Sequence, residues 1–276
     1  MNYRPAFVSG KEDPLGNDSS NWVAARSVLV FGVRLRIRTN RPEVLDRFSE
    51  YLPPLWTPND ASSVDRLFSL LVGKSTHTLF EDSDVAVRSR SLKQVLEDFR
   101  VRAKTFVAEM ARRRVFVHAG AVGWNGKAII IPGRSMSGKT SLVYELVRAG
   151  ATYYSDEYAV LDLQGRVHPY PQPLALRRSG SFAQRNRRVE EMGGVAGDKP
   201  LPVGCVIVTR YRDQARWRPR RVSRGQGVLE LLAHTVPARR KPEIVIPTLQ
   251  RAVAEGIILK GIRGEAREAA ERILRR

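Results

Sequence analysis

The run Gly133-Arg134-Ser135-Met136-Ser137-Gly138-Lys139-Thr140 matches G-x-x-x-x-G-K-[ST] at every fixed position, and such a loop works only where a buried strand hands over to a helix. Its neighbours meet that demand. Ala128-Ile129-Ile130-Ile131 is a short apolar, β-branched run that reads as a buried strand, while Leu142, Val143, Leu146 and Val147 repeat at helical spacing until Gly150. The pattern therefore predicts a phosphate-binding loop from Gly133 through Ser141. Its backbone N–H groups and the positive end of the following helix surround phosphate oxygens, Lys139 reaches the terminal phosphates, and the Thr140 hydroxyl ligates magnesium.

The flanking segments narrow the chemistry. Val115-Phe116-Val117-His118-Ala119-Gly120-Ala121-Val122 reads as a strand, and Trp124-Asn125-Gly126-Lys127 carries the Asn-Gly signal for a tight hairpin, so the loop strand is the second arm of a hairpin. Beyond the loop helix, the segment from Ala151 to Leu161 reads as a strand pair interrupted by two adjacent carboxylates, Asp156 and Glu157. A histidine on an apolar strand is often a hydrogen-bonded core residue. If the strand of His118 runs beside the loop strand, however, its ring can donate to a γ-phosphate or orient an acid. His77, His168 and His234 have no comparable context.

A histidine strand, an Asn-Gly hairpin, a phosphate loop, a helix and an acidic pair, in that order, resemble the catalytic domain of bacterial HPr kinase/phosphorylase. The nucleotide-binding core of that domain is itself similar to that of ATP-dependent phosphoenolpyruvate carboxykinase. The resemblance runs from about Val115 to Arg177, with weaker similarity out to the C-terminal helix. It implies an α/β fold, a phosphate-loop kinase domain of the HPr kinase / phosphoenolpyruvate carboxykinase type, with ATP and Mg2+ as cofactors. In the family two acids follow the loop helix, one taking the proton from a serine hydroxyl and both lying near the metal; here they are Asp156 and Glu157. The match at Asp156 is the closer, because Glu157 replaces an aspartate and is one methylene longer. By the same resemblance His118 and Lys139 join Asp156 and Glu157 as catalytic residues, and Thr140, Asp156 and Glu157 hold the metal. The chain departs from the family after the acidic strand, where Pro169-Tyr170-Pro171-Gln172-Pro173-Leu174-Ala175-Leu176-Arg177 replaces a glycine-containing signature. No phosphorolysis is expected in consequence. The segment looks like the broader HPr-kinase-related group, whose acceptors differ from HPr.

Composition sets the outer bounds. A chain of 276 residues with 42% hydrophobic content is long enough for a substantial core. No segment resembles a signal peptide or reaches the length of a membrane-spanning helix, so a cytoplasmic location and no membrane partner are expected. The single cysteine, Cys205, reads as a core strand residue within Val203–Val208. Residues 1–112 form a small N-terminal α+β region and residues 113–276 the ATP-binding domain. Within the first, residues 1–21 read as disordered, with Gly, Ser, Asp and Asn concentrated from Ser9 to Asn21. Ser27 to Thr39 alternates as a hairpin, Pro42 to Leu52 is a short helix, Leu67 to Val72 is a buried strand, and Leu92 to Met110 is a long amphipathic helix. In the second region, Leu163 to Arg166 reads as a turn and Ser179 to Pro202 as a long loop, either disordered or closing over substrate. Gln226 to His234, Pro247 to Ala254 and Glu265 to Leu274 read as helices.

The formal charge of +19 is uneven: residues 1–112 hold 17 Lys/Arg against 14 Asp/Glu, and residues 113–276 hold 30 against 14. Arg177, Arg178, Arg185, Arg187 and Arg188 flank the long loop, and Arg210, Arg212, Arg216, Arg218, Arg220, Arg221 and Arg224 follow a strand. Such clusters steer anionic partners, although a solvated arginine-rich surface gives the same composition. Tyr211 and Trp217 alone do not make a stacking platform, which sets nucleic acid behind the other partners. No Cys/His spacing suggests zinc. The leading expectation is an ATP-dependent kinase acting on a hydroxyl, Ser or Thr of a peptide or protein, with an acidic acceptor favoured. A small-molecule hydroxyl is the second acceptor class, and a non-enzymatic, nucleotide-gated binding module is the alternative. Members of the family form homo-oligomers, but no heptad repeat predicts one here.

Overall fold

Arginines alternating with Val33, Leu35 and Ile37 make a strand with one apolar face, and in the computed structural model that face lies in the core of a first sheet. The structure describes residues 22–134, 137–177 and 184–275, so the expected disorder before residue 22 lies outside the described residues. The chain is mixed α/β and divides into two compact units, one ending at Val107 and one beginning at Ala108.

In the first unit, β1 (Ala24–Val30) and β2 (Val33–Thr39) form the expected hairpin, turned by Phe31 and Gly32 at φ 49° and 81°. There follow α1 (Pro42–Ser49), β3 (Thr57–Pro58), β4 (Arg66–Val72), β5 (His77–Glu81), β6 (Asp84–Ser89) and α2 (Leu92–Met110). The strands stand in the order β3-β1-β2-β4-β5-β6, antiparallel except for β2 against β4. Phe99 of α2 meets Phe48 of α1 and Phe68 of β4 edge to face, at centroid distances of 4.7 and 5.0 Å, tying both helices to the sheet.

The second unit starts with β7 (Val115–Trp124) and β8 (Lys127–Pro132), joined by Asn125 and Gly126 at φ 49° and 74°, the left-handed pair that an Asn-Gly turn supplies. Next come α3 (Lys139–Arg148), β9 (Thr152–Ser155), β10 (Tyr158–Leu161), β11 (Val167–His168), β12 (Leu174–Arg177) and β13 (Gln184–Arg187). The chain ends with β14 (Val203–Tyr211), β15 (Arg220–Val222), α4 (Arg224–Leu232), α5 (Pro242–Val253), β16 (Ile257–Arg263) and α6 (Ala266–Leu274). An eight-stranded sheet runs β11-β10-β7-β8-β14-β16-β15, with β9 also on β7. β8, β14 and β16 are parallel, so the loop after β8 opens at the carboxyl ends of the parallel strands, where α/β sheets place ligands. Helices α3 and α6 cover one face around Ile131, Val143 and Ile273, and α4 and α5 cover the other around Ile130, Leu231 and Leu249.

The strand pair interrupted by Asp156 and Glu157 is present as β9 and β10, which lie in one line and both run antiparallel to β7. Two readings change. Helix α5 starts at Pro242 rather than Pro247, since Pro242 takes the first helical position, where a missing N–H costs nothing, and Pro247 is held inside the helix. From residue 184 to Pro202 the long loop is tied down: β13 pairs with β12, Val195 and Gly197 bond both main-chain groups of Tyr153, and Leu201 does the same with Val167. Residues 178–183 lie outside the described residues.

Gly120 sets how closely α3 approaches the sheet, since a Cβ there would stand 2.5 Å from Val143 Cγ2. Gly120→Val should lower the unfolding free energy by about 1–3 kcal/mol, the usual cost of overpacking. Denaturant unfolding measures it, and an unchanged midpoint would show that α3 has room to spare.

Candidate functional site

Gly133 leaves β8 with its N–H donating to the His118 carbonyl of β7 at 3.3 Å, so the loop begins beside the histidine strand as expected. At the other end Gly138 caps α3 at φ 81°, a left-handed conformation that favours glycine, and its carbonyl accepts from Leu142. Between them Ser137 N–H donates to the Arg134 carbonyl. Ser135 and Met136 lie outside the described residues, and Ser141 is exposed on α3.

Lys139 is 7% exposed, and its Nζ donates to the carbonyls of Gly133 and Arg134, both at 2.7 Å. The ammonium is thus folded onto its own loop. Burial pushes it down to about 8, against the pull of Asp156 and Glu157.

The acids reach the loop through the line of β9 and β10. An extra residue sits between the pairs Val122↔Tyr153 and Ala121↔Ser155, and such a bulge shifts every later side chain to the opposite face. Tyr153 and Asp156 consequently meet, with the tyrosine hydroxyl 3.0 Å from Asp156 Oδ1. Thr140 Oγ1 donates to Asp156 Oδ2 at 3.1 Å, which joins the first turn of α3 to the acid. Asp156 is buried, and burial raises its carboxyl above the usual range although Tyr153 and Thr140 oppose the shift. The Tyr153 hydroxyl also lies 2.8 Å from the Gln172 carbonyl, and with one proton it serves one acceptor at a time. The tyrosine hydroxyl thus stands between the Asp156 carboxylate and the Gln172 carbonyl and can donate to either.

Glu157 is half-buried; its N–H donates to Ser155 Oγ and its carbonyl accepts from Ala119, which places the acidic pair across from Ala119 and Gly120 of β7. His118 is half-buried, with its ring edge-on to Tyr158 at 5.6 Å. The structure thus brings His118, Gly133, Lys139, Thr140, Asp156 and Glu157 to one end of the sheet.

Oxygen donors at Thr140 and Asp156, with Glu157 adjacent, suit a hard cation such as magnesium, which completes its shell with water and phosphate. No group of three His, Cys, Asp or Glu side chains able to hold a metal occurs among the described residues.

Three residues at this end carry no sequence signal of their own. Tyr153 is one of two adjacent buried tyrosines, and only the bulge singles it out. His234 follows α4, yet its carbonyl accepts from His118 N–H at 2.7 Å, and its ring is shifted down by burial, then by Lys139, with Arg134 adding a smaller push. Arg263 ends β16 and donates Nη2 to the Gly138 carbonyl at 2.9 Å. A depression of about 620 Å³ lies elsewhere, at the Asn125–Gly126 end of the sheet, and contains none of the predicted site residues. That groove carries Asp198 and Lys199, whereas the loop gathers Lys139 and Thr140 with the adjacent acids Asp156 and Glu157.

The chain matches no protein-family model and no curated protein. No helix among the described residues is long and apolar enough to cross a membrane.

Proposed function

We infer that the protein is an ATP-dependent phosphotransferase of the HPr-kinase-like group, acting on a hydroxyl of a peptide or protein. The observation that carries this reading is the buried Asp156 carboxylate bonded to Thr140 of the loop helix, one residue from Lys139. The same pairing serves magnesium in nucleotide-binding loops generally, and the reading adds to it the second acid, Glu157, beside the first. In the reading, Asp156 takes the proton of the acceptor hydroxyl as its oxygen bonds to the γ-phosphorus, and the bond from that phosphorus to the β–γ bridging oxygen breaks to release ADP. Lys139 leaves the Gly133 and Arg134 carbonyls for the terminal phosphates, and the loop N–H groups hold them. Thr140 and Asp156, with Glu157, would hold magnesium, which offsets phosphate charge. Tyr153 fixes the Asp156 rotamer, and His118 borders the γ-phosphate position from β7.

The arginines favour an acidic acceptor. Arg210, Arg212, Arg216, Arg218, Arg220 and Arg221 are exposed, and none makes an ion pair among the described residues, whereas Arg26, Arg34, Arg66 and Arg102 each pair with a carboxylate. The segment that carries them folds over the carboxyl end of β16, Arg212 N–H donating to the Arg263 carbonyl at 2.9 Å. Arg212 thus stands at the carboxyl end of β16, and Arg220 and Arg221 lie on β15, the outermost strand on that side of the sheet. Exposed charges are screened within about 8 Å at physiological salt, so use of an acidic peptide should fall steeply as salt rises while ATP binding falls less.

A kinase assay on acidic, neutral and basic peptides at low and high salt tests both statements. Arg218, Arg220 and Arg221 replaced together by Ala should weaken acidic-peptide use more than ATP binding. No transfer to any peptide would contradict the peptide acceptor. A preference for basic peptides would leave the arginines as solvated surface, and tight, salt-dependent binding of RNA or DNA would assign them to nucleic acid.

A further inference from the structure

Arg263 is 3% exposed and makes no ion pair among the described residues. Its terminal nitrogens donate to neutral main-chain oxygens instead, Nη1 to Gly264 at 2.9 Å and Nη2 to Gly138 at 2.9 Å, and its buried Nε has no partner. The next acid along the chain, Glu265, is exposed and accepts from the Tyr211 hydroxyl at 3.2 Å. Beneath the loop, Arg263 shares a narrow crevice with Gly138, Lys139 and Thr209, whose buried hydroxyl also has no partner.

A buried cation is costly unless an anion meets it. The surroundings of Arg263 make matters worse, because the first turn of α3 is the positive end of a helix dipole and Lys139 adds a second buried cation there. Asp156 and Glu157 act on Lys139, but no acid lies at hydrogen-bond range of Arg263 among the described residues. Burial pushes the guanidinium down from its usual range, with Glu265 and Tyr211 pulling the other way. The Tyr211 ring, 5.6 Å from the guanidinium carbon, and the pull of Glu265 offset part of the charge, and a polyanion in front of the loop would balance the rest.

We propose that Arg263 is a positioning residue of the phosphate site: it fixes the Gly138 carbonyl from behind the loop, and the phosphates of the bound nucleotide balance its charge. The proposal rests on the nucleotide reading of the loop. A side chain at Gly138 would run into Arg263 Nη2, so the contact also depends on that glycine.

The probes are inorganic pyrophosphate and Mg-ATP, titrated calorimetrically into the full chain carrying Arg263→Met, Arg263→Gln or Arg263→Lys, with the ligand-free melting temperature of each. Met and Gln should both weaken binding by about tenfold or more, and Lys should recover part of the loss. The ligand-free Met variant should melt at or above the wild-type temperature, because a buried charge has gone. A purely structural brace predicts otherwise: Gln, which can still donate to Gly138, would bind like wild type and Met would melt lower. Those results overturn the proposal, and if Met does not fold, Gln and Lys decide. Wild-type chain that binds neither probe would remove the nucleotide reading and this inference together, whereas tight wild-type binding matched by Gln removes this inference alone.

Discussion

Asp156→Asn should abolish most phosphoryl transfer, by about 10²–10⁴-fold, while Mg-ATP binding largely survives. The asparagine keeps the shape and the hydrogen bonds. Its oxygen can accept from Thr140 Oγ1, and its amide can donate to the Tyr153 hydroxyl, which then donates to the Gln172 carbonyl. What it lacks is an oxygen basic enough to take the acceptor's proton. Single-turnover transfer and calorimetric ATP titration on the same preparation separate the two effects. Wild-type turnover in the asparagine variant would remove Asp156 as the base, leaving Glu157 or substrate-assisted transfer.

Lys139→Ala should act on the other half of the reaction, weakening Mg-ATP binding by about 10- to 100-fold, the worth of a hydrogen bond to a charged group. Lys139 supplies the charge in a loop whose other contacts are main-chain amides. In the ligand-free protein the same truncation strips the Gly133 and Arg134 carbonyls of their donor, so the variant's melting temperature must be measured beside its affinity. A folded Lys139→Ala chain that binds Mg-ATP as tightly as wild type would show that the loop is not a phosphate site.

The sequence was readable where one element carries its own signal. The Asn125–Gly126 hairpin, the strand-loop-helix unit from β8 to α3 and the helix Leu92–Met110 all follow from local turn chemistry and hydrophobic period. It was opaque where the decisive feature is a pairing. The bulge between Tyr153 and Ser155 leaves no mark in the pattern, because Tyr153, Tyr154 and Ser155 are all buried and alternation is lost there. β16 escaped notice for a different reason: Lys260, Gly261 and Arg263 interrupt its apolar run, and only parallel pairing with β14 shows that Arg263 ends under the loop. The tie between residues 195–201 and the strands at Tyr153 and Val167 is likewise main-chain bonding, to which composition is blind.

The fate of the γ-phosphate tests the central claim most directly. Wild-type protein and Asp156→Asn are incubated with ATP radiolabelled at the γ position, magnesium and the acidic peptide pool, and label is followed into peptide, free phosphate and unreacted ATP. The account predicts label on a peptide hydroxyl with wild type and almost none with the variant, at ATP occupancies that match. Label released only as free phosphate, or retained on ATP that wild type demonstrably binds, would contradict a phosphotransferase and leave a nucleotide hydrolase or a nucleotide-gated binding module in its place.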